Sequence, residues 1–234
     1  LYAYLFAKPM LSMGPSALVL LIASVLTVLL CLLMGEYLNI NAMPVALGAM
    51  LVVNLLGARP AYVTNMALTL IITLLTAKGT GLVTSQTMSV LLTCSLGGLV
   101  AIWMMRKNTT RVMVVVSGLV VGAVNFGVLV CVHALTSSDM SGVWSDMAYA
   151  IGGAVVSAVL CVGLQPILET AFNLVTPSKL IELSNPNQPL LRRLMIETPG
   201  TYHHSMVVAN LAEAAAEAVG ANALLARVGA YYHD

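Results

Sequence analysis

The chain has 234 residues, of which 59% are hydrophobic and only 8% charged, and its formal net charge is +1. Soluble domains carry about 25% charged residues, so most of this apolar surface must face lipid and a soluble globule is excluded. The near-neutral balance contains no basic run, which leaves nucleic acid without an electrostatic footprint.

From the N-terminus, residues 1–6 are apolar enough to be the end of an earlier membrane span. The chain starts at Leu1 and stops on a motif, so it is read as a piece of a longer protein. Six uncharged apolar segments follow at 16–34, 42–58, 61–77, 83–105, 112–136 and 147–168. Each fits the roughly 17–25 residues of a transmembrane helix, with the second and third short and joined at Arg59–Pro60. Period-two alternation is absent, which argues against a β-barrel. The expected fold is all-α, a polytopic transmembrane bundle over 1–172.

Charge sets the expected orientation. With the C-terminal part inside, the inner segments hold Lys8, Arg59, Arg106, Lys107, Arg111, Lys179, Arg192 and Arg193, and the outer loops hold only Lys78. The C-terminal part is therefore expected in the cytoplasm. Asn54, Asn65, Asn125, His133 and Gln165 are polar positions within the spans. Interhelical hydrogen bonding is favoured for them over an ion path, and His133 is expected near the outer interface. Gly97-Gly98, Gly118-x-x-x-Gly122 and Gly152-Gly153 indicate close helix approach. Trp103 and Trp144 fall near span ends, as an aromatic belt requires. The four cysteines, Cys31, Cys94, Cys131 and Cys161, lie in apolar stretches without metal or redox spacing and read as small core residues.

The composition then changes. Residues 1–168 hold nine charged residues, and the much shorter 169–234 holds ten. A connector over 173–200 is punctuated by Pro177, Pro186, Pro189 and Pro199. Leu190, Leu191, Leu194 and Met195 form an amphipathic turn opposite Arg192 and Arg193. From Thr201 an amphipathic helix begins, with Val207, Val208, Leu211, Ala214, Ala215, Ala218 and Val219 on its apolar side and Glu213 and Glu217 toward solvent. Gly220 is its stop, and Asn222 caps a second helix. Two antiparallel helices would bring His204, at the start of the first, toward His233 and Asp234, at the end of the second. Imidazole binds borderline transition metals and carboxylate suits harder ions such as Mn²⁺. A carboxylate can also bridge two ions about 3.5–4 Å apart, an arrangement that clamps a phosphodiester and generates a hydroxide nucleophile.

Pro199-Gly-Thr-Tyr-His-His-Ser205, Val208-Ala-Asn-Leu-Ala-Glu213 and Ala215-Ala-Glu217 occur in order, followed by Gly220-Ala-Asn222 and Ala226-Arg-Val-Gly-Ala-Tyr-Tyr-His-Asp234. This stretch resembles the opening of the HD hydrolase domain in the bacterial seven-transmembrane HD receptor family. The run from Leu180 to Arg193 resembles that family's connector. The resemblance is specific over 178–234 and architectural over 1–172. It implies that 201–234 holds the first two helices of a cytoplasmic HD-type helical domain, anchored by a multi-pass bundle in the bacterial inner membrane. It further implies cleavage of cyclic di-AMP to pApA by a centre of two divalent ions, Mn or Fe, regulated through the bundle and by an extracellular ligand on a preceding domain. His204, His233 and Asp234 correspond to metal ligands, with Asp234 bridging, and His203 lies beside the site. The remaining ligands would lie beyond Asp234, and no other catalytic or substrate-binding residue is assigned. Two rival readings are a sensor whose HD domain binds without cleaving, and a multispan transporter with an incidental His-Asp.

Overall fold

The computed structural model describes residues 14–81, 84–106, 110–136 and 143–233. Residues 1–6, Lys8, Lys107 and Asp234, which the sequence reading used, lie outside them. Among the described residues the chain is helical and contains no strand. Contacts divide it into two units, 1–174 and 175–234, a boundary two residues beyond the expected one.

Among its described residues the first unit is a bundle of six α-helices: α1 (Gly14–Tyr37), α2 (Leu47–Leu56), α3 (Ala58–Thr80), α4 (Ser85–Met105), α5 (Arg111–Thr136) and α6 (Val143–Ala171). All but α2 are long and apolar enough to cross a membrane. Their faces are arranged as lipid requires. In α1 the buried side is Val19, Ala23, Thr27 and Cys31, while Leu18, Leu21, Val25 and Leu29 point outward. In α3 the inner side holds Asn65, Thr69, Thr73 and Thr76, and Met66, Leu70 and Leu74 are exposed. Polar groups inside and leucines outside would be unstable in water and are stable in a bilayer. Hydroxyls inside the bundle close onto their own helices: Thr27 Oγ1 donates to the Ala23 carbonyl at 2.7 Å and Ser157 Oγ to that of Gly153 at 2.8 Å. Trp103 and Trp144 are exposed. Three cysteines are buried as expected, but Cys131 faces outward.

The segment expected to be the second span, 42–58, takes a different form. It is a 3-10 turn (Ile40–Ala42) followed by the ten-residue α2. Ten residues rise only about 15 Å, half of the ~30 Å hydrocarbon layer. Pro44 prevents a continuous helix because it lacks an N–H and disfavours helical geometry in the residue before it. A short helix suffices here because Leu47 through Leu55 are all buried by neighbouring protein and need not face lipid. The joint between α2 and α3 also differs from the expected one. It lies at Gly57, whose φ of 91° suits glycine alone, and Pro60 sits in the first turn of α3 where its missing N–H costs nothing.

The glycines and amides account for the packing. Gly118 and Gly122 of α5 lie against Ala158 and Ala154 of α6, and a Cβ at Gly118 would sit 2.5 Å from that of Ala158. A Cβ at Gly153 would lie 2.7 Å from the backbone oxygen of Ala42. The Gly97-Gly98 pair seats two amides, since a Cβ at Gly97 would meet Asn125 at 3.0 Å and one at Gly98 would collide with Asn65. Asn54 Nδ2 donates to Gln165 Oε1 at 3.0 Å, and Gln165 Nε2 to Glu169 Oε1 at 2.8 Å, tying α2 to α6. Asn65 Nδ2 reaches the Ser95 carbonyl at 3.4 Å. These are the interhelical bonds expected of polar groups in a bundle. Asn173, with φ 49°, closes the C-terminus of α6.

The second unit contains α7 (Pro177–Leu183), α8 (Pro189–Glu197), α9 (Pro199–Ala218) and α10 (Ala223–Tyr231). Three of the connector prolines open helices instead of interrupting them, since the first helical position has no use for its N–H. Thr176 caps α7 by accepting from the Lys179 N–H at 3.2 Å. The unit's core is Leu191 of α8, Ala209 of α9, and Ala230 and Tyr231 of α10. Tyr232 Oη donates to the Leu183 carbonyl at 2.8 Å, so the connector and the last helix fold as one piece.

Candidate metal centre

Helix α9 starts two residues before the expected Thr201, because Pro199 takes the first helical position. His204 therefore sits in its second turn. Gly220, at φ 69°, ends the turn after α9, and Asn222 Oδ1 accepts from the Leu225 N–H at 3.0 Å to start α10. Both were legible from residue type. The reversal brings α10 back along α9, and the chain leaves α10 at Tyr232 with His233 next.

The imidazoles of His204 and His233 approach to 5.7 Å between ring centroids, tilted by 47°. His233 Nδ1 lies 2.7 Å from the Ala230 carbonyl. A carbonyl only accepts, so Nδ1 carries the proton and Nε2 keeps a free lone pair. That is the arrangement of metal-binding histidines, whose second nitrogen is commonly anchored on a backbone carbonyl. Both rings are exposed and can be reached from solvent. His203 turns aside and meets Tyr202 edge-on at 5.9 Å. Ser205 is buried, and its hydroxyl has no hydrogen-bond partner among the described residues. Two of the three expected ligands are thus brought together, and the third, Asp234, lies outside the described residues. Among the described residues no cluster of three metal-ligating side chains forms.

A clamp missed in the sequence holds this pair of helices. Arg227 Nη1 contacts Glu213 Oε2 at 2.9 Å, and Arg227 Nε donates to Tyr231 Oη at 2.6 Å. These two bonds raise the guanidinium's pKa above its ordinary value, Tyr231 contributing most. Glu213 was expected to face solvent. The available signal was that Arg227 is the one Arg or Lys of 201–234. The apolar side of α9 also differs from expectation. Val207, Leu211 and Val219 are exposed, and the buried stripe is Ser205 and Ala209. Small side chains at these two positions let α8 and α10 approach closely, so that side is covered first.

Residues 1–176 match the sequence profile of the family described as 7TM receptor with intracellular HD hydrolase. The chain is 38% identical over 226 residues to the cyclic-di-AMP phosphodiesterase PgpH of Bacillus subtilis, an alignment covering 92% of this chain and 32% of that protein. It is 45% identical over 141 residues to the protein of the same name in Listeria monocytogenes, covering 59% of this chain and 20% of the relative. The uncharacterized protein slr0104 of Synechocystis is 49% identical over 90 residues, 38% of this chain and 11% of that one. The chain thus spans about a third or less of the relatives it matches. No solved structure matches it. With a profile match over three quarters of its length, the chain belongs to the family of seven-transmembrane receptors with an intracellular HD hydrolase.

Proposed function

We propose that this chain is the membrane bundle and the first part of the hydrolase domain of a metal-dependent phosphodiesterase that cleaves cyclic di-AMP to pApA. The observation that carries the reading is the approach of His204 and His233, with the His233 ring locked so that Nε2 is left to bind. The names of the Bacillus and Listeria relatives supply the substrate. His204 and His233 would hold a divalent ion, with Asp234 as a bridging carboxylate between two. Bound divalent ions supply charge neutralisation and a hydroxide nucleophile at a phosphodiester. The chain's own contribution is positioning. α8 and Leu191 hold α9 against α10, Arg227 ties the two helices, and the Ala230 carbonyl fixes the tautomer of His233.

The Lys and Arg distribution supports a cytoplasmic hydrolase and an inner-membrane bundle. Two histidines fall short of a two-metal set, so the 234-residue chain alone is expected to be inactive, with the ligand set completed in the full-length protein. The test compares the chain with the full-length protein in one assay of cyclic di-AMP hydrolysis, with Mn²⁺ or Fe²⁺ and with chelator. Chelator-sensitive turnover by the full-length protein alone, lost in Asp234→Ala, His204→Ala and His233→Ala, supports the proposal. Full turnover in the histidine variants would assign the chemistry elsewhere. Metal-dependent binding of cyclic di-AMP without cleavage would favour a sensor.

A further inference from the structure

The bundle has a polar cavity at the end opposite to the C-terminus of α6. Its volume is about 360 Å³, in the range of small-molecule sites. Four elements meet there. Asn39 and Asn41 come from the turn after α1, Gln86 and Ser89 from the first turns of α4, His133 from the last turn of α5 and Asp146 from the first turn of α6. Sequence reading placed His133 at an interface and gave it no partner. In the structure His133 Nε2 faces Asp146 Oδ2 at 3.4 Å, and Asn39 Nδ2 faces Asp146 Oδ1 at 3.4 Å.

The chemistry of the lining selects the ligand. Among the described residues that line it, Asp146 carries the one fixed charge, and neither Lys nor Arg is present. An anion would have to shed water beside a carboxylate with no cation to receive it. Both contacts to Asp146 are longer than the 2.7–2.9 Å of a charge-assisted hydrogen bond, so its oxygens can take a stronger donor. A hard divalent ion calls for six to eight oxygens and several carboxylates, and the described wall offers one. An ammonium group needs one carboxylate and a few neutral acceptors, which Gln86, Ser89 and Asn41 provide.

We propose that this cavity binds a small solute bearing an ammonium group, with Asp146 as its counter-ion and Gln86 and Asn41 orienting the remainder. The site differs from any on a preceding extracellular domain, and it does not depend on the hydrolase reading. Its test measures binding to the 234-residue chain, with no turnover.

The chain in lipid nanodiscs is screened by thermal shift against the standard amino acids, ethanolamine and putrescine, with acetate, MgCl₂ and CaCl₂ as counter-probes, and hits are titrated by calorimetry. At least one ammonium probe should stabilise the chain and acetate should not. Its Kd should rise at least about tenfold in Asp146→Asn. Gln86 is exposed, so Gln86→Lys leaves the packing intact while placing a like charge in the cavity, and it should abolish binding even if Asp146→Asn folds poorly. Three results would overturn the assignment: no ammonium probe binds, a hit keeps its affinity in Gln86→Lys, or the divalent ions or acetate stabilise in its place.

Discussion

Leu191→Ala should loosen the histidine-bearing helices without touching the membrane bundle. Leu191 is 1% exposed and packs on Ala209, Ala230 and Tyr231. The substitution removes three carbons wholly withdrawn from water, worth about 2.4 kcal/mol at about 0.8 kcal/mol per carbon. Two of the neighbours are alanines that cannot extend into the hole, so a cavity term is added and the loss is about 3 kcal/mol. At 1.4 kcal/mol per decade that is about two decades in the opening equilibrium. Leu190, one residue earlier, is 61% exposed, and its alanine variant should stay within about 0.5 kcal/mol. Hydrogen exchange on the chain in nanodiscs reads both. Peptides from α9 and α10 should exchange about a hundredfold faster in Leu191→Ala and near the parent rate in Leu190→Ala, with α3 to α6 unchanged in each. Equal effects of the two variants, or none on α9 and α10, would refute the view that the connector is part of the fold that positions His204 and His233.

Gly153→Ala pushes a methyl onto the Ala42 backbone, which has no side chain to swing aside, and should destabilise the bundle by about 1–3 kcal/mol, whereas Gly152→Ala enters open space and should not. Thiol-dye thermal unfolding reads this in a Cys131→Ala background, where the remaining Cys31, Cys94 and Cys161 are buried until the bundle opens. Tyr232→Phe removes the hydrogen bond to Leu183 and should cost about 1 kcal/mol in the second unit. Burial raises the Tyr232 pKa above its ordinary 10.0, so the folded unit holds that proton more tightly than the unfolded chain. The stability associated with it is full below pH 10.0 and declines as pH climbs toward the raised folded value, a decline absent in Tyr232→Phe and measurable by exchange at matched chemical rates. His204→Ala should lower Mn²⁺ affinity in the full-length protein by at least about tenfold, and His203→Ala should leave it nearly unchanged, by isothermal titration.

Much of this was legible because membrane and helix-end physics act on single residues. Uncharged length revealed α1 and α3 to α6, and Gly220 and Asn222 marked the reversal that pairs His204 with His233. Gly97, Gly98, Gly118, Gly122 and Gly153 read correctly as sites of close approach, now seen to receive Asn125, Asn65, Ala158, Ala154 and the Ala42 backbone, whereas Gly152 faces open space. What stayed hidden depends on neighbours distant in sequence. Nothing local shows that α2 is enclosed on all sides and so need not be long, or that Cys131 faces outward while the other cysteines face in. The cavity is of the same kind, since Asn39 and Asp146 are 107 residues apart. Val207 and Leu211 follow the helical spacing read from the sequence yet are exposed, because periodicity marks an apolar face but not which part of it a nine-residue α10 can reach.

These features converge on α6. It is the one helix that lines the cavity, through Asp146 in its first turn, and also leads directly into the connector through Asn173. At 29 residues it is about 44 Å long, enough to carry a displacement from one end of the bundle to the other. Its sides are not uniform. Along Ala154 and Ala158 it is seated on glycines of α5, where any sliding meets hard contact. Near its C-terminus Pro166 leaves the Val162 carbonyl without its helical partner, and Gln165 and Glu169 form the amide chain to α2. A packed middle with a softer, hydrogen-bonded end is expected to pass a change at Asp146 to the last turn, whereas a helix loosely held throughout would absorb it. An occupant of the proposed site that draws Asp146 away from His133 would therefore act on the helix that leads in sequence to residues 175–234. Replacing Pro166 with Ala restores the missing bond and stiffens that end. Ligand-dependent exchange differences in α7 should shrink in that variant while ligand affinity is kept, and unchanged differences would show that α6 is not the carrier.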